Sequence, residues 1–200
     1  MTSDTLDAGF SNDLDAPRFA GFGVRLGATL IDFLALLPLT GGMFYFLMVD
    51  PNPIAYVGVV LLSALYKPFM EATYGATLGK MATKIKVVGK GGADITMNQA
   101  FMRWIPWVIA TAVGIYANYN LLNAAIAEGV SGFAEFSLFQ QKYNAEQGVG
   151  MTIINSVIGF LPLISALFLF GNKRKQAAHD KIAETYVVYK ESLNSGLGIS

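Results

Sequence analysis

Asp32 is the residue of this chain best placed to do chemistry, because it lies about two helical turns inside the apolar stretch 26–49. A carboxylate at membrane depth is costly, so it must be shielded, paired or used. Arg25 precedes it by seven residues and projects from nearly the same helix face, which Thr29 and Leu36 share. The axial separation of about 10 Å is too long for contact unless both side chains extend. A partner on another helix, or water, is therefore the expected ligand of Asp32. Two readings stand: an interhelical lock, with Arg25 reaching lipid phosphate, or a site that binds a cation or carries a proton.

A second constellation is His179-Asp180, in which His179 is the only histidine. A lone histidine beside bases is normally solvated or capping, and Asp180 is expected to form a salt bridge with Arg174, Lys175 or Lys181. Lys67 lies one turn from Glu71, close enough to pair unless Pro68 disturbs the turn. Asn118, Asn120, Asn123, Asn155 and Ser156 are expected to hydrogen-bond between helices or to line a polar cavity. Pro38, Pro106 and Pro162 are expected to kink three helices. Gly23-x-x-x-Gly27 allows close helix approach and is read as packing. No Walker spacing occurs at Gly75–Lys80, no Ser–His–Asp arrangement is apparent, and with no cysteine there is no thiolate metal site. No catalytic residue, metal or cofactor is assigned.

The elements that must position these residues follow from hydropathy. Residues 26–49, 54–74, 104–127 and 151–171 are apolar stretches, against charged residues at only 14% of the chain. A hydrocarbon core of about 30 Å needs about 20 apolar residues in a helix, so four crossings are expected. Thirteen of the fourteen Lys and Arg residues, all but Lys142, fall on the side that an even number of crossings makes cytoplasmic. The fold class is therefore an all-α membrane protein, with four transmembrane helices, a small cytoplasmic β-hairpin and both termini inside. The lipid bilayer is its partner, and the zero net charge gives no basic surface for nucleic acid. Residues 1–17 read as a disordered acidic cytoplasmic tail, 18–190 as the membrane domain and 191–200 as a flexible tail. No cleavable signal is expected at an amino terminus this acidic.

Between the second and third spans, Ile85–Val88 and Asp94–Thr96 flank a glycine turn and predict a hairpin. Thr185–Tyr189 is another strand signal, which could pair with the first. Thr96-x-x-Gln99 predicts a capping box opening a helix that runs through Arg103 into the third span, with Trp104 and Trp107 at the interface. Lys175–Ala183 reads as a short helix. Residues 128–150 are an outside loop, either a surface helix or an aromatic loop packed on the bundle.

The segments GFGVRLGATLIDFLALL, GATLGKMATKIKVVGKGGADITMNQAFMR and AAHDKIAETYVV together resemble the RDD family of bacterial membrane proteins, over about residues 17–190. That family is named for an arginine and two aspartates, which Arg25, Asp32 and Asp180 match. The resemblance implies a bacterial inner (cytoplasmic) membrane protein of about four helices. It also implies transport, with a sodium–proton antiport role proposed for some members. Arg25, Asp32 and Asp180 then form the expected ion or proton site, with Thr29, Lys67, Glu71 and His179 in support. Exchange of a monovalent cation for protons, in a homodimer, is the leading expectation. The alternative is a non-catalytic accessory or assembly subunit of a larger membrane complex. A membrane-embedded enzyme ranks last, because no nucleophile or metal set is evident.

Overall fold

The computed structural model describes residues 17–171 and 173–196, so the expected disorder of the acidic tail falls almost wholly outside them. The first apolar stretch divides into α1 (Phe22–Ala35) and α2 (Leu37–Phe44), followed by a π-helical turn at Tyr45–Val49. Pro38 explains the break, since its ring would collide with the carbonyl of Leu34 in a continuous helix. Helix α3 (Pro53–Tyr74) starts on a proline that needs no amide partner, and Asn52 Oδ1 accepts the Ala55 amide at 3.0 Å. Helix α5 (Met97–Ala127) opens on the expected capping box. Gln99 N–H donates to Thr96 Oγ1 (3.2 Å) and Thr96 N–H to Gln99 Oε1 (3.0 Å). Pro106 sits inside α5 without ending it.

Helices α3 and α5 are each long and apolar enough to cross a membrane, and α1 with α2 makes a third if the bent pair counts as one span. Only 11% of the apolar window of either long helix is buried within the chain, which leaves those faces for lipid. The fourth apolar stretch differs from a single span. It forms α7 (Gly148–Gly159) and α8 (Leu161–Leu167), interrupted at Phe160, and neither piece reaches crossing length.

The chain forms two compact units. Residues 36–65 and 106–163 make one. Its core joins Tyr56, Leu121, Leu122 and Ala125 to Phe136 and Phe139 of α6 (Phe133–Glu146). The aromatic segment is thus a helix whose Phe136 and Phe139 pack on the chain. Asn118 and Asn123 donate back to the Gly114 and Tyr119 carbonyls at 2.9 and 2.8 Å within α5, and Asn118 also bonds the Tyr56 side chain of α3, as expected of an interhelical amide. The side chain of Asn155 lies outside the described residues.

Residues 17–35, 66–105, 164–171 and 173–196 are the described part of the other unit, which holds every charged residue of the expected site. Here β1 (Ile85–Val88) pairs antiparallel with β2 (Tyr186–Tyr189), with Val87 opposite Val187. The expected hairpin at 85–96 is corrected: only an isolated bridge joins Val88 to Asp94. The apolar content of 186–189 makes it the better partner. Ile85, Val87 and Val187 enter one core with Ala20, Ala28, Ile95 and Ala100, and Val88, Tyr186 and Val188 enter another. Residues 191–196 of the tail expected to be flexible continue from Lys190 as helix α10 (Lys190–Gly196).

This unit is built from two copies of one backbone motif, spaced 100 residues apart. Helix α4 (Leu78–Ala82) leads through Lys84 (φ 55°) into β1, and α9 (Ala178–Ile182) leads through Glu184 (φ 52°) into β2. Their N-caps agree (Thr77 φ −77°, ψ 169°; Ala177 φ −71°, ψ 167°), as do Thr83 and Ala183 at the C-caps. Upstream, Gly75 (φ 67°) and Lys175 (φ 48°) match again. The register is symmetric about the Val87–Val187 pair, and the bridge from Val88 to Asp94 mirrors the one from Val188 to Phe19.

Candidate functional site

Asp32 on α1 is held by three donors. Tyr66 Oη donates to Oδ1 (2.7 Å), Thr77 Oγ1 to Oδ2 (2.6 Å) and the Gly79 amide to Oδ1 (2.7 Å). Tyr66 Oη in turn accepts the Leu78 amide at 2.9 Å, so the phenol joins the carboxylate to the start of α4. Glycine is required at 79 because a Cβ there would stand 1.9 Å from the Ala28 carbonyl oxygen. That close approach brings the Gly79 amide within reach of Asp32. All three donors are neutral, and among the described residues no base pairs with this carboxylate.

Glu71 and Asp180 are built differently. Arg103, 1% exposed, donates from Nε to Glu71 Oε2 (2.8 Å) and from Nη1 to Asp180 Oδ1 (2.5 Å) and to Thr185 Oγ1. Lys80 pairs with Glu71 Oε1. Arg25 reaches Asp180 Oδ2 at 2.5 Å, the Ala20 carbonyl at 3.0 Å and the Lys175 carbonyl at 2.7 Å. The planar guanidinium fork lets each arginine serve several acceptors at once. Three bases and two acids thus form a continuous ladder from α4 through α3 and α5 to α9 and α1. Removing one member would leave buried charge uncompensated. Burial would raise the Asp180 carboxyl, but the Arg103 and Arg25 guanidiniums outweigh it and hold it well below its ordinary value of 3.8.

Ser165, His179 and Asp180 line up, an arrangement that sequence spacing did not reveal. Ser165 Oγ lies 2.8 Å from His179 Nδ1 and accepts the His179 amide at 3.2 Å, while Nε2 stands 3.3 Å from Asp180 Oδ1. Burial holds the imidazole well below its ordinary pKa of 6.5, against the opposing pull of Asp180, so the ring is neutral. In the tautomer that carries its proton on Nε2, toward the carboxylate, Nδ1 accepts a hydrogen bond from the Ser165 hydroxyl. Ser165 is 4% exposed and Asp180 is already bound to two arginines, so the three side chains form a buried polar cluster.

The structure brings Arg25 and Asp180 into contact and places Asp32 with other partners, as the axial separation along α1 requires. Asp180 pairs with Arg25 and Arg103 rather than with Arg174 or Lys181. Glu71 is held by Arg103 and Lys80, while Lys67 adds a further positive charge to its surroundings. Thr29 bonds to the Arg25 carbonyl (3.0 Å) within its own helix. A Cβ on Gly23 or Gly27 would meet nothing within 4 Å, so the close helix contact is at Gly79 instead. Sequence reasoning missed Arg103, Lys80, Tyr66 and Thr77. A signal for Arg103 was its place one turn beyond Gln99, inside a helix already entering an apolar stretch.

A family model described as the RDD family matches residues 19–184. A Bacillus subtilis (strain 168) protein, "Uncharacterized protein YckC", is 32% identical over 111 residues, which are 52% of this chain and 71% of that protein. No solved structure matches the chain. The matched region contains Arg25, Asp32 and Asp180 together with the apolar helices that carry them, and on that ground the chain belongs to the RDD family of membrane proteins.

Proposed function

We propose that this protein exchanges a monovalent cation for a proton at Asp32, from a bacterial cytoplasmic membrane crossed four times with both termini inside. One observation carries the reading. Of the three shielded carboxylates in this unit, Asp32 is satisfied by neutral donors, whereas Glu71 and Asp180 are each ion-paired. A carboxylate neutralised by an arginine has no reason to trade its partner for a proton or a metal cation. One carrying an uncompensated charge in a half-buried place does. Arg25, Arg103, Lys80, Glu71 and Asp180 then act as a rigid frame around α4 rather than as the site itself.

The test is flux in proteoliposomes of purified protein. An outward proton gradient should drive cation uptake, and Asp32→Asn should abolish it while leaving the protein folded. Uptake unaffected by that substitution removes Asp32 from the mechanism.

An accessory or assembly role in a larger membrane complex is the second reading. It is favoured by the closure of Glu71 and Asp180 within the ladder, which leaves a single exchangeable acid where ion-coupled transporters use several. Gentle detergent extraction that recovers a stoichiometric larger partner, from protein without flux, supports it.

A further inference from the structure

The doubled motif supplies an internal comparison for the Asp32 site. Both copies build a short helix, a left-handed turn and a strand with matching backbone angles. Their side chains at the helix start differ: Thr77 corresponds to Ala177, Gly79 to His179 and Lys80 to Asp180. In the second copy the His179 amide is taken by Ser165 Oγ (3.2 Å), and the Ala177 amide by Asp180 Oδ2 (3.0 Å). That copy therefore forms with no carboxylate from a separate apolar helix and no hydroxyl at its N-cap. Local folding demands an acceptor from a neighbouring helix at this amide, which the neutral Ser165 hydroxyl of α8 supplies in the second copy, but it does not demand a carboxylate.

What the first copy carries is a set of hard oxygens. Asp32 Oδ1 and Oδ2, Tyr66 Oη and Thr77 Oγ1 lie together, with the hydroxyls 2.7 and 2.6 Å from the carboxylate oxygens. Each hydroxyl oxygen already accepts one amide, Tyr66 Oη from Leu78 (2.9 Å) and Thr77 Oγ1 from Lys80 (3.4 Å), and rotation of its proton about the C–O bond turns the remaining lone pair inward as a ligand. The Gly79 amide cannot swing, because α4 is pressed on the Ala28 carbonyl, so the carboxylate stays oriented while its partners turn. One negative charge, with no paired base among the described residues, matches one positive charge, and a divalent ion would leave an excess. Oxygens already this close admit a small ion with less displacement than a large one.

We propose that Tyr66 and Thr77 complete, with Asp32, an oxygen site selective for a small monovalent cation such as lithium or sodium over potassium. The inference rests on the exchange reading above. On cation entry the protonated Asp32 carboxyl releases its proton, the carboxylate binds the ion, and the two hydroxyls turn their lone pairs inward. Charge at the site is zero before and after.

Thr77→Ala is the informative variant, because the second copy carries alanine at the same place and still folds. Lithium, sodium and potassium uptake would be measured in proteoliposomes for the parent, Asp32→Asn, Thr77→Ala and Tyr66→Phe, with thermal unfolding as the check on folding. The expected result is a rise of about tenfold or more in the half-saturating sodium concentration for Thr77→Ala and Tyr66→Phe. The preference over potassium should also narrow. If the parent shows flux that Asp32→Asn abolishes, but the hydroxyl variants keep affinity and selectivity, the oxygen site is wrong and the exchange reading stands. If the parent shows no cation-dependent flux, both fall. If Thr77→Ala does not fold, unchanged sodium dependence in Tyr66→Phe is enough to overturn the site.

Discussion

Gly79→Ala puts the packing of α4 on α1 to a direct test. The added methyl would stand 1.9 Å from the Ala28 carbonyl oxygen, 2.8 Å from its carbon and 3.0 Å from Asp32 Cγ. Two of those neighbours are backbone of a continuous helix and cannot rotate aside, so α4 must move away. Overpacking of this kind costs about 1–3 kcal/mol. Retreat of α4 also stretches the Gly79 hydrogen bond to the Asp32 carboxylate, and a bond to a charged acceptor contributes about 1.5–3 kcal/mol. Together these give about 3–5 kcal/mol, a fall in Tm on the order of 10 °C for a chain of this size. Thermal unfolding of detergent-purified protein reads it directly. Gly23→Ala and Gly27→Ala are the matched controls on α1, since a Cβ at either meets nothing within 4 Å. They should lie within about 0.5 kcal/mol of the parent, or stabilise it slightly through helix propensity. A Gly79→Ala protein as stable as these two would refute the close contact and the fixed orientation of Asp32 that depends on it.

Arg103→Met takes from Glu71 and Asp180 the buried base they share, leaving Lys80 on one and Arg25 on the other, so a loss of about 3–5 kcal/mol is expected on thermal or denaturant unfolding. A neutral outcome would mean that the ladder is not buried as described. His179, held neutral by burial with its pKa well below 6.5, binds a proton more readily when unfolded, so its contribution is complete above pH 6.5 and is lost as pH falls. Stability should fall between pH 7 and pH 5 with a slope approaching about 1.4 kcal/mol per pH unit, and His179→Gln should flatten it. Asp180 shifts in the same sense at lower pH. Its stabilisation is present above 3.8 and disappears as acid approaches the depressed folded pKa, so the deficit of Asp180→Asn should shrink below about pH 4.

Hydropathy and capping chemistry were legible in the residues themselves. Apolar runs at 54–66 and 104–127 are enough to specify α3 and α5, because a helix satisfies its own backbone wherever it lies. Thr96 and Gln99 mark where α5 begins, since the capping box is local. Arg25, Asp32 and Asp180 stood out by type and by family pattern. What they touch did not, because each of their partners is distant along the chain: Asp180 is 155 residues from Arg25 and 77 from Arg103.

Tertiary structure alone decided how those charges are divided. Helical geometry kept Arg25 and Asp32 apart on α1, but only the packing of α4 against Ala28 shows that one joins a closed ladder and the other meets hydroxyls and an amide. The doubled motif was equally hidden. Residues 75–88 and 175–188 share identical residues only at Val87/Val187 and Val88/Val188, so the repeat survives in backbone angles and strand register rather than in letters. A turn, a short helix and a paired strand tolerate many side chains as long as the core valines face inward, and that tolerance left one copy free to gather a carboxylate and two hydroxyls while the other closed on arginine.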